Sequence, residues 1–107
     1  MSKDQQLNPQ LFKQAQSMQR NLLKLREEMK ERIVEGAAGG GLVTAFTNGN
    51  GELVKITLKP DAVDAKDIAM LEDLIVAAVA KAQEESQAMQ QAEMSKVTGG
   101  MSLPGLF

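Results

Sequence analysis

The chain has 107 residues and a formal net charge of −2, with 12 Lys and Arg against 14 Asp and Glu. That length predicts a single domain, one that buries only about two-thirds of its unfolded surface, so a second subunit would add core. There is no Cys and no His, which excludes thiol and imidazole catalysis, disulfides and the usual zinc ligands. The apolar runs fall far short of the roughly 18 residues that span a bilayer. Residues 1–6 carry no apolar stretch of signal-peptide type. A cytoplasmic place and no membrane partner are expected. The aromatic residues are Phe12, Phe46 and Phe107, too few for the base-stacking platforms that bind single strands.

In chain order, a polar leader at residues 1–8 is expected to be flexible, and one domain spans residues 9–98. Asn8-Pro9 starts the first helix, since Asn caps and Pro suits the first helical position. Leu11, Ala15, Met18, Leu22, Leu25 and Met29 follow at spacings of four and three. They form a seam for dimer or helix packing over a helix of residues 9–31. Ile33-Val34 is β-branched, and the glycine-rich run 36–41 then reads as a turn. Residues 42–47 and 53–58 read as strands around Asn48-Gly49-Asn50-Gly51, a tight-turn sequence. An even loop sets Val43 and Ala45 opposite Val54 and Ile56, with Lys55 and Thr57 facing away; an odd loop brings in Phe46. Residues 64–67 resemble a capping box. Beyond it Ile68, Leu71, Ile75, Ala78, Ala82 and Met89 mark a second helix that reaches about Lys96. Gly99-Gly100 ends it, and the apolar residues 101–107 read as a flexible tail or one docked on a partner.

The order helix, three strands, helix predicts an α+β two-layer domain with a three-stranded antiparallel sheet. Strands of about six residues span roughly 20 Å, whereas the two helices span roughly 33 and 43 Å. Long helices must therefore overhang the sheet. The overhang and the open strand edges favour an isologous homodimer.

Charge is segregated along the chain. Residues 9–34 hold six basic and three acidic side chains, and residues 60–107 hold three Lys and eight acids. Lys13, Arg20, Lys24, Arg26 and Lys30 on the first helix are the candidate DNA contacts, able to neutralise phosphates. The competing account is a solvated face with internal pairs such as Lys24 with Glu28. Gly39-Gly40-Gly41 lacks the Gly-Lys-Ser/Thr of a phosphate loop and leads into a strand, so it reads as a tight connection. Glu72-Asp73 and Glu84-Glu85 are neighbours along a helix and point apart, so they assemble neither a carboxylate pair nor a metal site. No metal, cofactor, small-molecule substrate or catalytic residue is expected. Met18, Met29, Met89 and Met94 read as seam or core packing rather than a partner surface.

Certain landmarks carry a resemblance. They are Lys13 to Gln19, Val34-Glu35-Gly36, Gly39 to Val43, Asn48-Gly49, Val54-Lys55-Ile56 and Pro60, then Met70 to Leu74, Ala77-Ala78, Gly99-Gly100 and Leu103-Pro104-Gly105. In this order the chain resembles the YbaB/EbfC family of nucleoid-associated proteins from about residue 9 onward. The resemblance implies an α-β-β-β-α fold and a tweezer-like homodimer. It implies binding to double-stranded DNA that alters DNA conformation, helps organise the nucleoid and regulates gene expression, without catalysis. A longer polar start departs from the short leader expected of the family. The alternative function is a non-catalytic protein-interaction module whose helical arms dock a partner and whose acidic second helix repels DNA.

Overall fold

The computed structural model describes residues 8–97. Of the segments expected to be flexible, residues 1–8 and 99–107, all but Asn8 lie outside the described residues. The elements are α1 (Pro9–Lys30), β1 (Ile33–Ala38), β2 (Val43–Asn48), β3 (Leu53–Leu58), a single 3-10 turn (Pro60–Ala62) and α2 (Ile68–Val97). The strands form one antiparallel sheet in the order β1-β2-β3, the α+β arrangement expected.

Helix α1 starts as its sequence dictates. The Asn8 side-chain oxygen accepts from the Leu11 N–H at 3.1 Å, and Pro9 occupies the first turn, where no amide partner is needed. The start of α2 differs from a capping box. Asp67 alone caps it, accepting from the Met70 N–H at 3.1 Å, while Asp64 closes a local turn onto the Lys66 N–H at 2.9 Å. Two short acids three residues apart each find the nearest amide, and neither reaches back as a Glu would.

The glycine-rich run also divides differently from the sequence expectation. Gly36, Ala37 and Ala38 belong to β1, and only Gly39, Gly40 and Gly41 form the turn, all three with φ between 65° and 93°. Gly36 is a strand residue because α2 lies on top of it. A Cβ there would meet the Ala78 carbonyl oxygen at 2.7 Å and collide with the Ala82 backbone nitrogen. Helix α2 packs across β1 and β2. The core is accordingly made of small side chains: Ala38, Val43, Ala45, Ala62, Ala78 and Ala82 are buried, with Leu71, Leu74, Ile75 and Ile56 packed around them.

In the hairpin, Val43 pairs with Leu58 and Ala45 with Ile56, while Phe46 pairs with Lys55. The even-loop alternative thus holds for Ala45 and Ile56. Val54 departs from it. The register shifts between Phe46 and Thr47, leaving Val54 as the extra residue of a bulge, 57 % exposed. Phe46 turns to the face away from α2, where the Lys55 ammonium lies 5.9 Å from its ring centre.

The backbone-to-backbone approach at Gly36 yields a test. Gly36→Ala forces α2 off the sheet and should cost about 3 kcal/mol or more, read as a lowered urea midpoint at fixed protein concentration. An unchanged midpoint would mean that the helix can shift without loss.

Candidate nucleic-acid interface

The turn after β2 joins the two helices. Its conformation is set by Asn48, whose side-chain oxygen accepts from the N–H groups of Asn50 (3.0 Å) and Glu52 (3.1 Å), and by Gly51 at φ 85°. From the α1 side, the Met29 carbonyl accepts from the Gly49 N–H at 2.9 Å, and the Arg26 carbonyl accepts from the Asn50 amide at 3.1 Å. From the α2 side, the Gln90 amide donates to the Gly49 carbonyl at 2.7 Å. Beneath the turn, Ser86 donates to the Asn48 carbonyl at 2.7 Å, and its hydroxyl lies 2.6 Å from that of Thr47. Thr47, Asn48 and Ser86 are all buried, and each finds a partner. This polar hub holds the end of α1 against the middle of α2.

From the hub the two helices run side by side. A groove of about 400 Å³ between them is lined by Leu22, Leu25 and Met29 from α1 and by Gln90 and Met94 from α2. The seam predicted for α1 is therefore graded. Met29 is buried, Met18, Leu22 and Leu25 are half-buried, and Leu11 is 62 % exposed. Helix α2 ends at Val97, which shares a shallow groove with Asn21 and Lys24. The rest of α1, back to Pro9, projects about 18 Å beyond that point at 1.5 Å per residue.

Lys13, Arg20, Lys24, Arg26 and Lys30 are all exposed. The structure separates them into two sets. At roughly 100° per residue, Lys13, Arg20 and Lys24 fall within about 40° of one another, on the side of α1 opposite the Leu11-Met18-Leu22-Met29 seam. Arg26 and Lys30 instead flank the hub, in a groove shared with Glu27 and Glu52. No acid occurs from Pro9 to Arg26; Glu27, Glu28 and Glu31 crowd the last turn of the helix. Arg20 takes a 3.2 Å hydrogen bond from its guanidinium to Ser17. The expected Lys24–Glu28 pair does not form: among the described residues the ion pairs are Arg32–Glu93 at 2.9 Å and Lys96–Glu93 at 3.1 Å. None of the three is in an ion pair among the described residues, but only Lys13 and Arg20 lie away from the acids, since Lys24 lines a groove with Glu28 and Glu93.

Sequence reading missed the clasp at Glu93 and the hub. Glu93 is the α2 acid that comes nearest the basic segment, and it is already engaged. The hydrogen bond from Arg32, then that from Lys96, holds its carboxyl below the usual carboxylate range. Among the described residues no group of three or more His, Cys, Asp or Glu is placed to hold a metal ion, and no helix is long and apolar enough to cross a membrane.

Residues 4–101 match the YbaB/EbfC DNA-binding family. The chain belongs to that family. It is 48 % identical over 97 residues to a nucleoid-associated protein of Thermoanaerobacter pseudethanolicus, covering 91 % of this chain and 87 % of that one. It is 50 % identical over 98 residues to a nucleoid-associated protein of Acetivibrio thermocellus, with the same coverage of both chains. The fold is also that of an uncharacterized protein from Helicobacter pylori, at a TM-score of 0.74 and 22 % identity, covering 86 % of this chain and 97 % of the other. In this family member the first helix is the element that joins a basic stripe to a projecting arm.

The Glu93 clasp has a defined pH signature. A carboxylate whose folded pKa is depressed stabilises fully above its unfolded value, here 4.5, and that contribution is lost as pH falls through the lower folded value. Glu93→Gln should therefore lower the melting temperature at neutral pH, and the difference from the parent should close as pH falls through the lowered folded value. A gap that persists in acid would show that the clasp acts by packing rather than charge.

Proposed function

We propose that this protein binds double-stranded DNA as a homodimer, through phosphate contacts made by its α1 arms. The observation that carries the reading is the stripe of Lys13, Arg20 and Lys24: exposed, on one face, in no ion pair among the described residues and borne on a helix that projects beyond the body. Three cations over eleven residues span about 16 Å of helix, enough to meet several phosphates of one duplex. Such contacts position a protein without reading sequence, in keeping with a family described as DNA-binding and relatives named nucleoid-associated. Two arms related by a two-fold axis would grip or bridge duplex, alter its path, help organise the nucleoid and thereby influence gene expression. Arg26 and Lys30, beside Glu27 and Glu52, would contribute less.

The dimer reading rests on β3. It is the sheet edge farthest from β1 and lies outside the main packing surface of α2. Leu53, Val54 and Leu58 leave an exposed apolar strip along it. A two-fold pairing of this edge with itself would cover the strip and satisfy its free backbone groups.

Reversing three charges, Lys13→Glu, Arg20→Glu and Lys24→Glu together, should weaken binding to a labelled duplex by about a hundredfold or more at about 50 mM salt, with the circular dichroism spectrum unchanged. Fluorescence anisotropy checks it. Undiminished binding by the triple variant would reject the site, and docking of a protein partner would then become the better reading. Val54→Asp with Leu58→Asp should halve the sedimenting mass while leaving the fold intact. A retained dimer mass would place the interface elsewhere.

A further inference from the structure

At the base of the arm, where α1 and α2 run side by side, the groove of about 400 Å³ differs in chemistry along its length. Its walls are apolar: Leu22 and Leu25 from α1, Met94 from α2, and the buried Met29 at the hub end. Arg26 is the single charged side chain among the described residues that line it, and no Asp or Glu does. The Arg26 guanidinium has neither a hydrogen bond nor an ion pair among the described residues, although Glu27 and Glu52 line the neighbouring groove. We propose that the groove binds an amphipathic carboxylate, a single unbranched chain of medium length whose head meets Arg26 at the hub and whose tail lies between the helices toward Gln19.

Charge, donors and dimensions support this ligand. An unpaired guanidinium beside an apolar wall favours a ligand that is both anionic and apolar, because a neutral chain leaves the charge unused and a cationic one is repelled. Asn50 and Gln90 add donors at the same end. Each amide nitrogen carries two hydrogens and spends one inside the hub, on the Arg26 carbonyl at 3.1 Å and the Gly49 carbonyl at 2.7 Å. The second hydrogen of each has no partner among the described residues. From Met29 to Gln19 α1 rises about 15 Å, the length of an extended carboxylate of about ten carbons. The groove volume lies within the range of small-molecule sites. Leu22, Leu25 and Met94 are half-buried, so a chain laid along them takes from water the apolar surface that the two helices leave uncovered. The methionines can adjust to its shape. The groove takes one chain, so the ligand is a free amphiphile and not a bilayer surface. The proposal does not depend on DNA binding, and its test does not involve DNA.

Met29 and Met94 supply the readout. In the full chain, isotopically labelled at the methionine methyls, decanoate titrated below its micelle concentration should move the Met29 and Met94 signals to saturation. Met70, near the start of α2, should stay still. Decanol should bind roughly tenfold more weakly, decyltrimethylammonium should not bind, and Arg26→Gln should lower the affinity for decanoate roughly tenfold. That substitution keeps the hub contact, which uses the backbone carbonyl of residue 26, and the methyl spectrum of the unliganded variant checks its fold. Unmoved Met29 and Met94 signals would overturn the proposal. Decanol binding as tightly as decanoate, or Arg26→Gln binding decanoate as tightly as the parent, would also overturn it and would make the groove a general apolar surface. Shifts spread evenly over all the methionines would overturn it as detergent action.

Discussion

Everything in this molecule hangs on how closely α2 can approach the sheet. Gly36 in β1 lies directly against the α2 backbone near Ala78 and Ala82, at distances that leave no room for a side chain. Packing at this spacing needs small residues on both surfaces, and the core supplies them as Ala38, Ala45, Ala78 and Ala82. One turn further along the helix the same line reaches Ser86. There the contact changes from apolar to polar, because the hydroxyls of Ser86 and Thr47 meet at 2.6 Å and Ser86 also donates to the Asn48 carbonyl. The buried polar atoms are satisfied, so the change costs little and fixes the turn to the helix.

That fixed turn is what gives α1 its direction. The end of α1 is tied to the turn at Met29 and Arg26, and Gln90 ties the same turn to α2. A helix held at one end and free at the other is an arm, and the geometry of an arm suits contact with an extended charged polymer better than enclosure of a small ligand. The charges follow the same logic. The acids of α1 gather near the hub, whereas Lys13 and Arg20 occupy the projecting part and Lys24 lies beside the end of α2. The α2 acid nearest them, Glu93, is spent on Arg32 and Lys96.

Much of this was legible in the sequence. The spacing of Leu11 through Met29, the Asn8-Pro9 start and the Asn48–Gly51 turn each follow from local stereochemistry, so both helices and the hairpin could be placed to within a residue or two. The same holds for the candidate cations, since charge on a regular helix maps directly onto a face. What could not be read was whatever depends on a neighbour far along the chain. Gly36 looked like part of a turn because its reason for being glycine is α2, some forty residues later. Ser86 looked like a polar residue in a thinning pattern because its partners, Thr47 and Asn48, belong to the hairpin. Its spacing of four after Ala78 and Ala82 was the available signal. The division of the five cations also needed the structure, because Glu52 reaches Arg26 and Lys30 only through the fold.

The measurement that goes most directly to the central claim is the slope of log affinity for duplex DNA against log salt concentration for the unaltered protein. Each phosphate neutralised contributes about 0.9 to that slope, so three cations on each of two arms lead to a value near −5. A slope of that size from a dimeric protein is the result this account predicts. A slope near zero, or no binding at low salt by an intact dimer, would contradict it.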